Sequence, residues 1–378
     1  MSDTSSEDIA AIRDSVGRFM QREVLPVMDE YEARGELRRE LVRKAGAAGF
    51  FGSVFPEEVG GTGVGYRALS AIVEQIARHD IRFAHVSNTQ GGTCPTSIYL
   101  AGTDDQVQRF LPRILGGDAI GMMSLTEAGG GSDALGAMKT TARRDGDVYR
   151  INGAKMWATS GNECDSGILL VKTDPAAGAK GVTAFIVEPK KHPGYTAKPI
   201  DTLGLSKSFR SCALFLDDFV VPVENRLGEE GEGFKIIMRA LETGRVVIGS
   251  MALGIARACF EDAVRYANER FVRGSALGKY QMIQADIADM SVAIEASRSL
   301  MNDLARAMDA GSATNRLASI AKSHASQTAK FCADRAQQIF GGYGLATEYR
   351  ISRYKCYADL MFVGEGPANV QKILIAED

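Results

Sequence analysis

Met123-Ser124-Leu125-Thr126-Glu127-Ala128-Gly129-Gly130-Gly131-Ser132-Asp133 lies where the character of the chain changes. Before it, from about residue 5 to 118, apolar residues recur at helical spacing around Ile9 to Tyr31, Tyr66 to Ile76 and Gln106 to Ile114, and Gly-rich turns such as Gly60-Gly61-Thr62-Gly63 break them. After it, Thr140 to Arg144 and Val148 to Ile151 alternate across Asp145-Gly146-Asp147, a hairpin signal, and Val182 to Val187 and Cys212 to Val221 are further β-rich runs. Long helices return after Gly228-Glu229-Glu230-Gly231-Glu232-Gly233. One of them carries Ile283, Ile287, Met290, Ile294, Met301, Leu304 and Met308 on a single stripe interrupted by Ser297, as a helix packed in a bundle does. The expected order is a helical block over 1–118, a β block over 119–230 and a helical bundle over 231–378.

Composition narrows the function. Of the 378 residues, 45% are hydrophobic and 24% charged, with a net charge of only -3 and no basic stripe, which argues against a nucleic-acid partner. No apolar run reaches the length of a membrane span, and the polar, acidic stretch Met1 to Ile12 resembles neither a secretory signal nor a transit peptide. A soluble, cytoplasmic protein is expected. The six cysteines form no CxxC pair and the four histidines are scattered, so neither a metal site nor a Ser-His-Asp arrangement is indicated. Hard chemistry would then belong to an organic cofactor.

In the Gly-rich stretch, small residues let backbone N–H groups approach a ligand, and Thr126 and Ser132 add hydroxyls. It lacks the GxGxxG spacing of a dinucleotide fold. The one Trp follows in Lys155-Met156-Trp157-Ala158-Thr159-Ser160-Gly161. Core packing and an aromatic wall beside a planar cofactor are both open to Trp157.

Together these two segments resemble the central region of the acyl-CoA dehydrogenase family. The resemblance extends over nearly the whole chain through Pro56-Glu57-Glu58-Val59-Gly60-Gly61, Glu269-Arg270 eleven residues before Gln281, Gln338-Ile339-Phe340-Gly341-Gly342-Tyr343-Gly344, and Glu365-Gly366. It implies a mainly α fold of the short- and medium-chain type: an N-terminal helical domain, a middle β-barrel or sandwich domain and a C-terminal four-helix bundle, assembled as a homotetramer or homodimer. It also implies FAD, lined by Met123, Leu125, Thr126 and Ser132 on one side and Trp157 and Thr159 on the other, with Pro367 and Asn369 beside it. Arg270 would reach the pyrophosphate of a neighbouring subunit's cofactor, and Gln281, Gln338 and Gly342 its adenine half. The bland alternative for Arg270 is a solvated helix charge.

For the acyl-CoA, the resemblance implies Glu242 and Arg245 beside the CoA moiety, with Ser132 and Gly366 also at the substrate; an i,i+3 ion pair is the simpler reading of the first two. Glu365 would remove the α-proton while the β-hydride passes to flavin N5, the thioester carbonyl being held by the Glu365 N–H and a ribityl hydroxyl. Without the resemblance, Glu365 is a charge near a helix N-terminus. Some relatives carry the base just before the position of Arg245, but that residue here is Gly244. The chain departs from the pattern at Gly364 in place of a bulky aromatic, at Gly366-Pro367 in place of Gly-Thr, at Cys356-Tyr357-Ala358 and at Arg273, which leaves the acyl group open. An electron-transfer flavoprotein is the implied acceptor. Competing readings are a dehydrogenase of carrier-protein-bound acyl groups, an oxidase or monooxygenase of the same fold, and a non-catalytic flavin-binding scaffold.

Overall fold

The computed structural model describes residues 4–377. Residues 1–3 and 378, at the ends of the first and last blocks read from the sequence, lie outside it. The first block is helical: α1 (Ser6–Phe19), α2 (Leu25–Arg34), α3 (Arg39–Ala47), α4 (Tyr66–His79), α5 (Ile81–Gly91), α6 (Thr93–Ala101) and α7 (Asp104–Leu115). Its starts are written in local chemistry. Ser5 with Asp8, and Thr103 with Gln106, each form a capping box, so the first free amides of α1 and α7 are satisfied. The turn before α5 is closed by Asp80, which accepts from the Arg82 N–H at 2.9 Å.

The β block comprises β1 (Met123–Ser124), a short α8 (Ala134–Ala137), β2 (Thr141–Asp145), β3 (Val148–Thr159), β4 (Gly167–Lys172), β5 (Val182–Val187), β6 (Tyr195–Pro199), β7 (Ser211–Pro222) and β8 (Arg226–Leu227). These strands form one eight-stranded sheet in the order β6-β7-β3-β2-β4-β5-β8, with β1 parallel to β4. Tyr149, Ile151, Leu169, Phe185, Leu214 and Phe219 alternate onto one face and form a core of their own. β3 and β7 pair antiparallel along most of their length, with register shifts between Ile151 and Gly153 and between Lys155 and Ala158.

After it come α9 (Gly233–Glu269), the small ribbon of β9 (Phe271–Val272) and β10 (Ser275–Ala276), α10 (Gln281–Asp309), α11 (Asn315–Phe340), α12 (Ile351–Val363) and α13 (Ala368–Glu377). On α10 the expected stripe faces inward, with Met290, Ile294, Ser297, Met301 and Leu304 buried. The two helical blocks share one continuous core, because α4 lies directly on α9. A Cβ at Gly254 would stand 2.5 Å from the Glu74 carbonyl, and the Ser70 and Ser250 hydroxyls meet at 2.8 Å. The buried Glu74 carboxylate gathers Arg13 of α1 at 3.2 Å and Arg257 of α9 at 2.7 Å, so the seam between the blocks is polar but paired. Among the described residues no helix is long and apolar enough to cross a membrane.

Candidate active site

Two segments singled out in the sequence are laced together. The Met156 N–H donates to the Thr126 carbonyl at 2.9 Å. Beneath them Lys155, with no exposed surface, donates to the Leu125 carbonyl at 3.0 Å and to Glu127 Oε1 at 2.8 Å. Glu127 also accepts from the Lys139 and Thr140 N–H groups. Burial pushes the Lys155 ammonium down to about 8, against the opposing pull of Glu127.

This buried clasp explains the bulge in β3. With Lys155 turned inward and the register slipping before Ala158, Trp157 takes φ 63° and stands 55% exposed. That excludes core packing for Trp157 and leaves an aromatic face beside the Gly-rich stretch. A non-glycine residue held at positive φ is strained by about 1–3 kcal/mol, a feature of functional sites. Met123, Thr126 and Thr159 are half-buried, Leu125 is buried and Ser132 is exposed. The buried hydroxyls of Ser124 and Ser160 lack hydrogen-bond partners. An exposed indole, unpartnered hydroxyls and a glycine-lined turn fit a planar, polar cofactor such as a flavin.

A second site lies between the helical blocks. Glu365 sits in the turn joining α12 to α13 at φ 51°, followed by Gly366 at φ 90°. Its carboxylate is buried although the residue as a whole is half-exposed. Oε1 accepts from Asn88 Nδ2 of α5 at 3.0 Å and, at 3.5 Å, from the Thr93 hydroxyl of α6. Oε2 has no partner. The space is made by Gly244 on α9, where a Cβ would meet Thr93 Oγ1 at 2.8 Å and Glu365 Oε2 at 3.0 Å. Burial raises the Glu365 pKa above the usual carboxylate range, opposed by the Asn88 hydrogen bond and by the charges of Lys322 and Arg245.

The turn itself is held from behind. Lys322 Nζ of α11 donates to the Gly366 carbonyl at 2.9 Å, and Gln371 Nε2 donates to the same carbonyl at 3.1 Å. Arg245 is buried and donates from Nη1 to Asn315 Oδ1 at 2.6 Å, and the Glu242 charge acts on it without a salt bridge within 4 Å. Glu242 is half-buried one turn before it. Pro367 is half-buried and Asn369 exposed at the start of α13.

The α5–α6 corner connects the two places. Asn88 bonds Glu365, while its neighbour Gln90 accepts the Gly121 N–H at 2.8 Å, and a Cβ at Gly121 would lie 2.2 Å from the Thr89 carbonyl. The Glu365 carboxylate and Gly121, two residues before the Gly-rich stretch, are thus anchored within three residues of each other on α5.

Arg270, Gly342 and Tyr343 come together elsewhere. With Tyr266, Phe340 and Ala346 they line an open pocket of about 540 Å³, and Arg270 stands over the Tyr343 ring at 5.7 Å. A Cβ at Gly342 would meet nothing within 4 Å, which leaves the backbone accessible to a ligand. Gln338 is exposed and accepts from Arg335, and Gln281 is exposed at the start of α10. None of the residues lining this pocket comes from 123–133 or 155–161, so within one chain the candidates occupy two separate places.

Sequence reasoning missed Asn88, Thr93, Lys322 and the Lys155–Glu127 clasp. For Lys322 a signal was available: it sits four residues after Ala318 and three before Ala325 on the buried stripe of α11, where a lysine needs a reason.

A helical–β–helical chain with an exposed indole beside a glycine-rich turn and a buried carboxylate at its helical junction fits a flavoprotein oxidoreductase, and its similarity to known proteins gives that class. Models of the acyl-CoA dehydrogenase N-terminal, middle and C-terminal domains match residues 6–118, 122–219 and 231–378. The chain belongs to the acyl-CoA dehydrogenase family, which uses FAD. It is 34% identical to glutaryl-CoA dehydrogenase of Desulfococcus multivorans over 99% of this chain and 96% of that protein. Its identity to 3-(aryl)acrylate reductase of Clostridium sporogenes is 35%, over 99% and 98%. The fold superposes on butyryl-CoA dehydrogenase from Megasphaera elsdenii with a TM-score of 0.94 at 34% identity, covering 100% of this chain and 99% of that one.

Proposed function

We propose that the chain catalyses α,β-dehydrogenation of an acyl-CoA thioester, with Glu365 as the base that removes the α-proton. The observation that carries this reading is the Glu365 carboxylate: buried, on a strained turn, with Oε2 unpartnered and facing the gap at Gly244. A carboxylate whose pKa is raised by burial is a stronger base than an exposed one, and a thioester carbonyl makes the neighbouring C–H acidic enough to give up a proton to it. Asn88 and Thr93 hold Oε1, which leaves Oε2 to accept the proton. The Glu365 N–H is a candidate donor to the thioester carbonyl.

FAD, held by Met123, Leu125, Thr126, Ser132, Trp157 and Thr159, with Pro367 and Asn369 beside it, supplies the hydride acceptor. Arg270, Gln281, Gln338 and Gly342 serve the diphosphate and adenine of a neighbouring copy's cofactor, which makes the active form at least a dimer. The pocket at Arg270 and Gly342 supports this, since a planar guanidinium suits a diphosphate and nothing in 123–133 or 155–161 reaches it. Ser132, Glu242, Arg245 and Gly366 are assigned to the substrate, with Arg245 acting from the interior beside Glu365, and an electron-transfer flavoprotein is the proposed acceptor.

Glu365→Gln tests the assignment. The amide keeps the shape but cannot accept a proton, so anaerobic flavin reduction by acyl-CoA should slow about 10²- to 10⁴-fold while the spectral change on thioester binding persists. Reduction at close to the wild-type rate would remove Glu365 from the role.

A further inference from the structure

Lys322 has no exposed surface and is the one charged residue on the buried face of α11, among small residues that include Ala318, Ser319, Ala321, Ala325 and Ser326. An ammonium in such a place is costly unless something needs it. Its one hydrogen bond runs from Nζ to the Gly366 carbonyl at 2.9 Å. That carbonyl is already served by a neutral donor, Gln371 Nε2 at 3.1 Å, which also reaches the Glu365 carbonyl at 3.4 Å. A mere clasp of the turn therefore needs no charge.

What a second donor adds is positive charge beside the Glu365 carboxylate. Asn88 from α5, Thr93 from α6 and Gly244 from α9 meet that carboxylate, and the charges of Arg245 on α9 and Lys322 on α11 act on it. Two cations thus serve one carboxylate. Glu242 lies on the Arg245 side, and His324, two residues beyond Lys322, pairs through Nδ1 with the Ser297 hydroxyl of α10 at 2.8 Å. Burial pushes Lys322 down to about 8, with Glu365 pulling it up and Arg245 pushing it further down.

We propose that Lys322 is a positioning residue for the reaction: through the Gly366 carbonyl it pins the left-handed turn that carries Glu365, and with Arg245 it supplies positive charge on the side of this buried carboxylate. The proposal rests on Glu365 being the base.

The test uses the holoenzyme with Lys322→Gln, which keeps a donor without the charge, and Lys322→Met, which removes both. In both variants anaerobic flavin reduction should fall roughly 10- to 100-fold at neutral pH, with thioester binding changed only a few-fold. The pH at half-maximal reduction should rise, because loss of a neighbouring cation favours the protonated acid. Hydrogen exchange across residues 364–371 should quicken in Lys322→Met, a readout independent of activity. If Lys322→Met fails to fold, Lys322→Gln decides. Wild-type reduction and an unmoved pH midpoint would overturn the proposal and leave Lys322 a structural clasp. Glu365→Gln, run in parallel, separates the two failures: if it still reduces flavin normally, the base assignment falls and this proposal with it; if it is inert while the Lys322 variants are normal, only this proposal falls.

Discussion

Gly244→Ala should separate stability from catalysis at the proposed base. The residue is interior to α9, where replacing glycine by alanine ordinarily stabilises a helix by about 0.5–1 kcal/mol. Here the new methyl would stand 2.8 Å from Thr93 Oγ1, 3.0 Å from Glu365 Oε2 and 3.2 Å from its Cδ. Thr93 is buried and β-branched and can give little, whereas the Glu365 carboxylate ends a flexible side chain and can retreat, so the fold survives and the midpoint of thermal unfolding should change little. The retreat falls on the carboxylate. Restoring ordinary contact moves it by about 0.5 Å, and since a misplacement of about 1 Å can cost 10²-fold, flavin reduction should slow about 10-fold. Anaerobic stopped-flow reduction with a panel of acyl-CoA esters, alongside thermal unfolding, measures both quantities. A variant as stable as the parent that reduces at the parental rate with every ester would refute the idea that the Gly244 gap positions the reacting carboxylate.

Two other perturbations probe the surroundings. Asp165 is pushed up by burial but held below its usual range by Arg39 at 2.5 Å, the Ile120 N–H at 2.8 Å and Lys190 at 2.8 Å; a lowered folded pKa gives stability that is present above the ordinary aspartate value of 3.8 and is lost as pH falls through the folded pKa. Asp165→Asn should cost about 1–2 kcal/mol at pH 7, a difference that shrinks on acidification, and urea unfolding that shows the same difference at pH 7 and pH 3 would contradict it. Arg270→Ala should lower the flavin-to-protein ratio while circular dichroism stays unchanged, and full FAD occupancy would show that the open pocket does not serve the cofactor.

The block order was legible because it is written locally. The Asp145-Gly146-Asp147 turn and the break in periodicity around residues 121 and 228 are short-range signals, and α4, β2, β5, β7 and the α10 stripe fall where the pattern put them. β4 and β6 were not legible. Five of the six residues of β4 are buried, so it shows no alternation, and β6 is a polar strand at one end of the sheet path. The single core shared by α4 and α9 rests on Ser70–Ser250 and Gly254–Glu74 contacts some 180 residues apart in sequence, beyond the reach of any periodicity. Glu365 was singled out by resemblance; its neighbours Asn88 and Thr93 are ordinary polar residues until the fold brings them across 277 and 272 positions.

That distance explains why the two helical blocks merge. A carboxylate in the middle of a helix would present itself to one neighbouring face. On the strained turn between α12 and α13 it can be inserted between elements, and it meets α5 and α6 of the first block and α9 and α11 of the last. Neither block alone closes the site. The first supplies the groups that hold Oε1, and the last supplies the gap, the cations and the residue itself. The same α5–α6 corner grips Gly121, from which the chain runs directly into the strand and glycine-rich turn proposed to face the flavin. The relative placement of Glu365 and the glycine-rich turn therefore follows from the packing of that corner rather than from either loop.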